Sequence, residues 1–278
     1  MSAVETKTAL IALQGMRSAS ADIAKATERL ATGKRINQAA DDPAGNAQAV
    51  RLKAEITSFT QVKRNITNAD SQLRQAGDSL NSITEILVEM RSLALSSASE
   101  NSAELRATNQ ASFAALADSI KDTVATTKFA GQTMFASGGS TATALVGINA
   151  ADTKTLEFSD LSAATGGAFA AVAGISISAS ADASAAIVTI DEAIEAFSAE
   201  IAKVGGYQRS LSLISDSVDS TILNKTVQMR DITDTDYAQE ATNLAAARIR
   251  QDASTAVLAQ ANSMTRTVAD FLLKGAMG

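Results

Sequence analysis

No cysteine, histidine or tryptophan occurs in this chain, proline occurs once, and aromatic residues make up only 4% of it. Without cysteine there is no disulfide framework, thiolate nucleophile or zinc cluster. Without histidine the commonest general base and metal ligand are missing. Carboxylates and lysines alone are a thin vocabulary for catalysis, so no enzyme, cofactor or metal site is expected. A zinc-peptidase site of the His-Glu-x-x-His kind is excluded outright. No apolar run approaches the length of a membrane span, so no membrane partner is expected. Met1 to Leu13, with Glu5 and Lys7, lack the apolar stretch of a secretory leader, so any export is expected to read no cleaved leader.

What the chain does have is alanine and helical periodicity. Hydrophobic residues reach 46%, many of them alanine, which favours helix but buries little area per residue. Phe59, Val62, Ile66, Ala69, Leu73, Ala76, Leu80, Ile83, Leu87, Met90 and Ala94 recur at alternating three and four. So do Ile187, Ile190, Ile194, Phe197, Ile201, Val204, Gln208, Leu211, Ser215, Val218, Ile222, Lys225, Met229 and Ile232. Each run describes one seam of a coiled-coil helix, a rod on the order of 50 Å or more at about 1.5 Å per residue. Two long helices joined by a non-helical excursion fold back on one another. The fold class is therefore mainly α, with long antiparallel coiled-coil helices from both chain halves and a small central β-hairpin region.

The net charge of −6 argues against nucleic acid as a partner. Residues 1–75 carry eleven Lys/Arg against seven Asp/Glu, and residues 182–240 carry four against eleven. Balances of +4 and −7 on helices expected to lie side by side help set their register.

Residues 8–32 read as an amphipathic helix with Leu13, Met16, Ile23 and Leu30 on a thin stripe. That stripe needs a neighbour, and Val257, Ala261, Met264, Val268 and Phe271 near the C-terminus offer one. Both ends are expected to be weakly ordered alone and helical once packed in an assembly. Between Gly33 and Gly45 the pattern breaks, with Asp42 as an N-cap and Pro43 at the first position of the next helix. Ser96 to Asn101 close that helix, and another follows with Leu105, Phe113, Leu116, Ile120 and Val124. Thr143–Ile148 and Thr153–Phe158 read as a hairpin around Asn149–Asp152, and Ala-, Ser- and Gly-rich residues 162–181 as a surface loop. Helix resumes near Asp182 as an N-cap. Gly205-Gly206, inside the second seam, costs about 1–2 kcal/mol of helix propensity and calls for a kink or a close backbone.

Ala26-Thr27-Glu28-Arg29-Leu30-Ala31-Thr32-Gly33-Lys34-Arg35-Ile36-Asn37 through Asp41-Asp42-Pro43-Ala44-Gly45 resembles the N-terminal signature of bacterial flagellins. Asp231-Ile232-Thr233-Asp234-Thr235-Asp236-Tyr237 and Ala256-Val257-Leu258-Ala259-Gln260-Ala261-Asn262 are similar to the C-terminal one. The resemblance implies an inner terminal helical domain (1–36 with 240–278) and a rod domain (37–239) whose hairpin and surface loop span about 130–181. It implies a short member lacking variable outer domains, exported and polymerised into the flagellar filament for swimming. Implied partners are other copies and related flagellins, the export apparatus, a flagellin chaperone, the filament cap and hook-associated proteins. The implied location is secreted, on the extracellular flagellum. Leu13, Ile23, Leu30, Arg35, Asp41, Asp42, Val257, Leu258, Met264 and Phe271 are the residues expected to mediate subunit contacts. The alternative is the junction protein between hook and filament, which shares the terminal architecture; the Leu258–Asn262 motif favours flagellin.

Overall fold

A computed structural model describes residues 3–129, 132–135, 139–161 and 169–275. In order come α1 (Ala3–Thr32), α2 (Pro43–Ser99), α3 (Ala103–Thr126), β1 (Lys128–Phe129), β2 (Gln132–Thr133), β3 (Ser140–Leu145), β4 (Thr153–Phe158), α4 (Ala170–Ala173), α5 (Ser180–Thr233) and α6 (Tyr237–Gly275). The chain divides into two compact units, residues 1–54 with 224–278 and residues 55–223.

The unit of residues 55–223 holds the large side chains. Phe113, Phe135, Phe169, Phe197, Leu80, Leu87 and the other largest fully buried groups all belong to it. Every α2 seam residue from Val62 to Met90 and on to Ala94 is buried, as the heptad spacing requires, and Ser97 continues the seam. Lys63 meets Asp219 at 2.6 Å and Arg91 meets Asp191 at 2.5 Å. The second pair lies 28 residues further along α2 and 28 residues back along α5, so both report one antiparallel register over about 42 Å. The charge asymmetry read from the sequence for residues 1–75 and 182–240 is thus realised in the Lys63–Asp219 pair.

The α5 seam differs in part from its reading. Ile190, Phe197, Val204, Leu211 and Val218 are buried, but Ile187, Ile194 and Ile201 are only partly so. Ala183, Ala186, Ala193 and Glu200 take the intervening buried positions. The reason is a second neighbour. Glu200 accepts hydrogen bonds from Ser159 N (3.1 Å) and Ser159 Oγ (2.7 Å), and Tyr207 Oη accepts one from Glu157 N (3.4 Å). The end of β4 therefore covers one flank of α5 and shifts the buried face. Gly205 and Gly206 sit in uninterrupted helix with no atom within 4 Å of a Cβ at either, so no backbone comes close there. The start of α5 is Ser180, not Asp182, which lies in the first turn where its charge suits the helix dipole.

Ser102 caps α3 by accepting from Leu105 N, and Phe113, Ala117, Ile120 and Val124 form its buried stripe, leaving Leu105 exposed. The hairpin β3–β4 pairs Ser140 with Phe158 and Leu145 with Thr153, so its first strand begins three residues earlier than the sequence reading placed it. Its turn closes through Val146 N to Asp152 O (2.8 Å), with the Asp152 carboxylate accepting from Asn149 N and Nδ2. A smaller pair, β1–β2, precedes it. Of the expected surface loop, residues 162–168 lie outside the described residues, as do Gly131 and Gly138. The remainder is no surface loop: Phe169, Val172 and Ile177 are fully buried in the core. Their burial is what orders an otherwise Ala- and Ser-rich stretch, and Gln110 Oε1 accepts from Ile177 N to hold it.

Candidate assembly site

The unit of residues 1–54 with 224–278 is built on small side chains. Along α1, Ala12, Ala19 and Ala26 recur every seven residues and are buried, and Ala247 is buried on α6. The two helices approach to within 8 Å between Cα atoms along their length, closer than α2 and α5 come to one another. A Cβ at Gly15 would lie 3.0 Å from Ser254 Oγ. The predicted apolar stripe is therefore not the seam: Leu13, Met16, Ile23 and Leu30 flank it, half-buried, because alanine and glycine allow the tighter approach. Arg250 pairs with Asp22 at 3.0 Å, Arg29 with Glu240 at 3.6 Å, and Gln251 Nε2 donates to Ser20 Oγ at 3.0 Å.

Helix α1 stops at Gly33, whose φ of 69° a side chain would strain. Here the two chain segments stitch together. Arg35 N donates to Thr233 O (2.7 Å), Thr235 N donates to Gly33 O (3.0 Å), and Arg35 Nη2 donates to Ile232 O (2.8 Å). The breaks between α1 and α2 and between α5 and α6 thus form one joint, with Ile36 buried in it. Asp41 accepts from Asn37 N and Gln38 N (both 3.2 Å) and pairs with Lys25 at 3.0 Å. The Lys25 ammonium, with those two amides, holds the Asp41 carboxyl below its ordinary range. Asp42 caps α2 through Gly45 N at 2.9 Å, as expected. Asp236, which the sequence reading passed over, caps α6 through Ala238 N and Gln239 N. An Asp immediately before a helical run is the signal that could have found it.

Of the residues expected to make subunit contacts, Arg35, Asp41 and Asp42 belong to this joint. Leu13, Ile23, Leu30 and Leu258 are half-buried, and Val257 and Met264 are exposed. Phe271 falls on the last turns of α6, and its side chain lies outside those described. The sequence reading missed the most exposed large apolar groups described in this unit, Leu10 (64%), Ile11 (61%) and Ile249 (69%). Leu10 is two residues before Ala12 and Ile249 two after Ala247. At about 100° per residue each points roughly opposite the alanine seam.

A pair of helices that seals its inner face with alanine and displays leucine and isoleucine outward is a packing module, and this fold defines a structural subunit of a helical assembly. The comparisons agree. The bacterial flagellin N-terminal helical region matches residues 5–140, and the bacterial flagellin C-terminal helical region matches residues 187–272. A flagellin of Halalkalibacterium halodurans is 32% identical over 251 residues, covering 89% of this chain and 91% of its own. The flagellar filament 31.3 kDa core protein of Treponema maltophilum is 29% identical over 262 residues, covering 90% and 92%. A putative flagellar hook-associated protein from Vibrio parahaemolyticus shares the fold, with a TM-score of 0.59 at 17% identity over 70% of this chain and 100% of its own. The chain belongs to the bacterial flagellin family. It is a structural subunit of the flagellar filament and not an enzyme. Among the described residues no helix is long and apolar enough to cross a membrane.

Proposed function

We propose that the two outward faces of the α1–α6 pair are the contacts by which copies of this chain join. The observation that carries this is the placement of Leu10 on one helix and Ile249 on the other, each turned away from the shared seam. A single two-fold partner covers one patch per copy; apolar groups on opposite faces need at least two neighbours, which gives a ring or a helical polymer. Their burial removes apolar surface from water and drives growth. The half-buried Leu13, Ile23, Leu30 and Leu258 and the exposed Val257 and Met264 extend these faces, and Arg35, Asp41 and Asp42 hold the joint behind them. In this reading residues 1–36 with 240–278 form the inner terminal domain and residues 37–239 the rod.

The same reading takes the chain out of the cell. It crosses the flagellar export apparatus largely unfolded, escorted by a flagellin chaperone, and adds beneath the filament cap beyond the hook-associated proteins. A chain free of cysteine suits that passage.

Leu10→Gln and Ile249→Gln test the contact. Both side chains are exposed in the single chain, so its melting should not change, while seeded growth followed by sedimentation should fail. Growth at the wild-type critical concentration overturns the assignment. For location, an Asn149→Cys chain labelled on intact cells with an impermeant maleimide should stain external filaments along their length; staining confined to lysed cells refutes it.

A further inference from the structure

Within the unit of residues 55–223, the two long helices carry glycine at one level only. Past the first turn of α2 its sole glycine is Gly77, and α5 holds only Gly205 and Gly206. Gly77 lies 14 residues after Lys63 and 14 before Arg91. Gly205 lies 14 before Asp219 and 14 after Asp191, so the antiparallel register sets the two glycines level, midway between the ion pairs. A Cβ on Gly77 would meet Val204 Cγ1 at 3.9 Å, an ordinary contact, and one on Gly205 or Gly206 would meet nothing within 4 Å. None of the three has a positive φ. Alanine therefore fits at every one, yet each glycine weakens a helix about fivefold relative to alanine. The third helix stops at the same level. Asn109 Nδ2 donates to Ser97 Oγ and Thr127 Oγ1 to Ser79 Oγ, both at 3.1 Å, so α3 runs back along α2 and ends two residues short of Gly77. Beyond it a cavity of about 560 Å³ opens, lined from Ile66 to Arg74 on α2 and from Gly205 to Asp216 on α5.

We propose that Gly77, Gly205 and Gly206 make a bend point in this unit, set where the three-helix bundle of α2, α3 and α5 loses its third member. Glycine is one of the few causes of helix bending, because it adds backbone freedom and brings no side chain to fix the angle. Two helices packed side by side bend together only if both yield at one height, and level glycines supply that. The cavity leaves room for the inner side of the bend, while α3 stiffens the helices above it. A helical polymer of equivalent copies holds each copy in one shape, so joining freezes the bend, and the lost freedom opposes growth. That last step alone rests on the polymer reading above.

The chain has no cysteine, so pairs of introduced ones take spin labels without background. Thr60, Ser82 and Ala111 are exposed. Labels at Thr60→Cys and Ala111→Cys straddle the glycine level; labels at Ser82→Cys and Ala111→Cys both lie above it. In the monomer, pulsed electron paramagnetic resonance should give a broader distance distribution for the straddling pair than for the control pair. With Gly77→Ala, Gly205→Ala and Gly206→Ala together, the straddling distribution should shrink to the control width. A straddling pair no broader than the control, or one equally broad with the three alanines present, overturns the bend point. Hydrogen exchange gives a second measurement. In Gly205→Ala/Gly206→Ala the amides of residues 206–209 should exchange at least about tenfold more slowly than in wild type, and unchanged exchange overturns the inference. In seeded polymer the straddling distribution should narrow to the control width, and one that stays broad overturns the freezing step. A chain that never grows on seeds overturns the polymer reading and leaves the bend point standing on the monomer result.

Discussion

Removing the Glu200 carboxylate should unlatch the hairpin β3–β4 from α5. Glu200 is 4% exposed, and its two oxygens accept from Ser159 N at 3.1 Å and Ser159 Oγ at 2.7 Å; Lys203 Nζ lies 3.7 Å away. Phe158 and Leu161, on either side of Ser159, are buried, so the two donors cannot turn to bulk water without moving the hairpin. Glu200→Ala leaves the Ser159 amide and hydroxyl unpaired at about 1–3 kcal/mol for each buried donor. The amide is fixed while the hydroxyl can rotate to another acceptor, so a total of about 2–4 kcal/mol follows. Glu200→Gln keeps the shape and one acceptor, and its amide can donate to the Ser159 oxygen, so about 1 kcal/mol is lost. Guanidinium unfolding followed by helical circular dichroism should rank wild type above Gln and Gln above Ala. Ser159→Ala should cost less in the Glu200→Ala background than in wild type, a coupling that only a direct contact produces. A Glu200→Ala chain within about 0.5 kcal/mol of wild type, the scatter of unremarkable surface changes, or additivity of the two substitutions refutes the latch.

Ala19→Leu adds three carbons at a fully buried position of the close α1–α6 seam and should cost about 1–3 kcal/mol by overpacking; polymer yield and the protection of α1 amides against hydrogen exchange both report it. In the monomer, α1 and α6 amides should exchange faster than those of α2 between residues 62 and 97, because alanine buries less area than the leucine, isoleucine and phenylalanine of the rod seam; polymerisation should slow them. The Asp41 carboxyl is held below its ordinary value of 3.8, so its contribution to the joint is complete above that value and is lost as pH falls through the lowered one. Exchange at Asn37 and Gln38 should therefore rise under acid in wild type and be raised at neutral pH in Asp41→Ala. Exchanging the charges of Arg91 and Asp191 in one double variant should restore the melting temperature that either single reversal lowers, since the pair marks register and not a one-way contact.

The seams of the two halves were legible to different degrees. The α2 stripe matched from Val62 to Ala94, with Phe59 at its start only partly buried, because its buried positions keep to one heptad period. The α5 stripe was half legible, since a helix covered on two sides buries residues off its principal seam, and nothing local in Ala186, Ala193 or Glu200 announces the second cover. The α1 reading followed side-chain size, yet the buried line was Ala12, Ala19 and Ala26. Leucine marks a core when helices sit far apart; when they close in, the small residues go inside and the large ones are left over. The Phe169–Ile177 stretch was opaque for a related reason, being three apolar residues without period that acquire a core only from distant helices.

Composition and periodicity by themselves determined that this chain makes long helices, carries no catalytic vocabulary, pairs its two halves antiparallel and breaks at Gly33 and Pro43. These follow from covalent properties of each residue: helix propensity, missing thiol and imidazole, restricted φ, heptad spacing. Only the tertiary structure decided which face of α1 seals against α6, that both helix breaks share one stitched joint, and that Leu10 and Ile249 are left facing outward. Those facts depend on interhelical distance and on partners hundreds of residues apart in sequence, which no local pattern encodes.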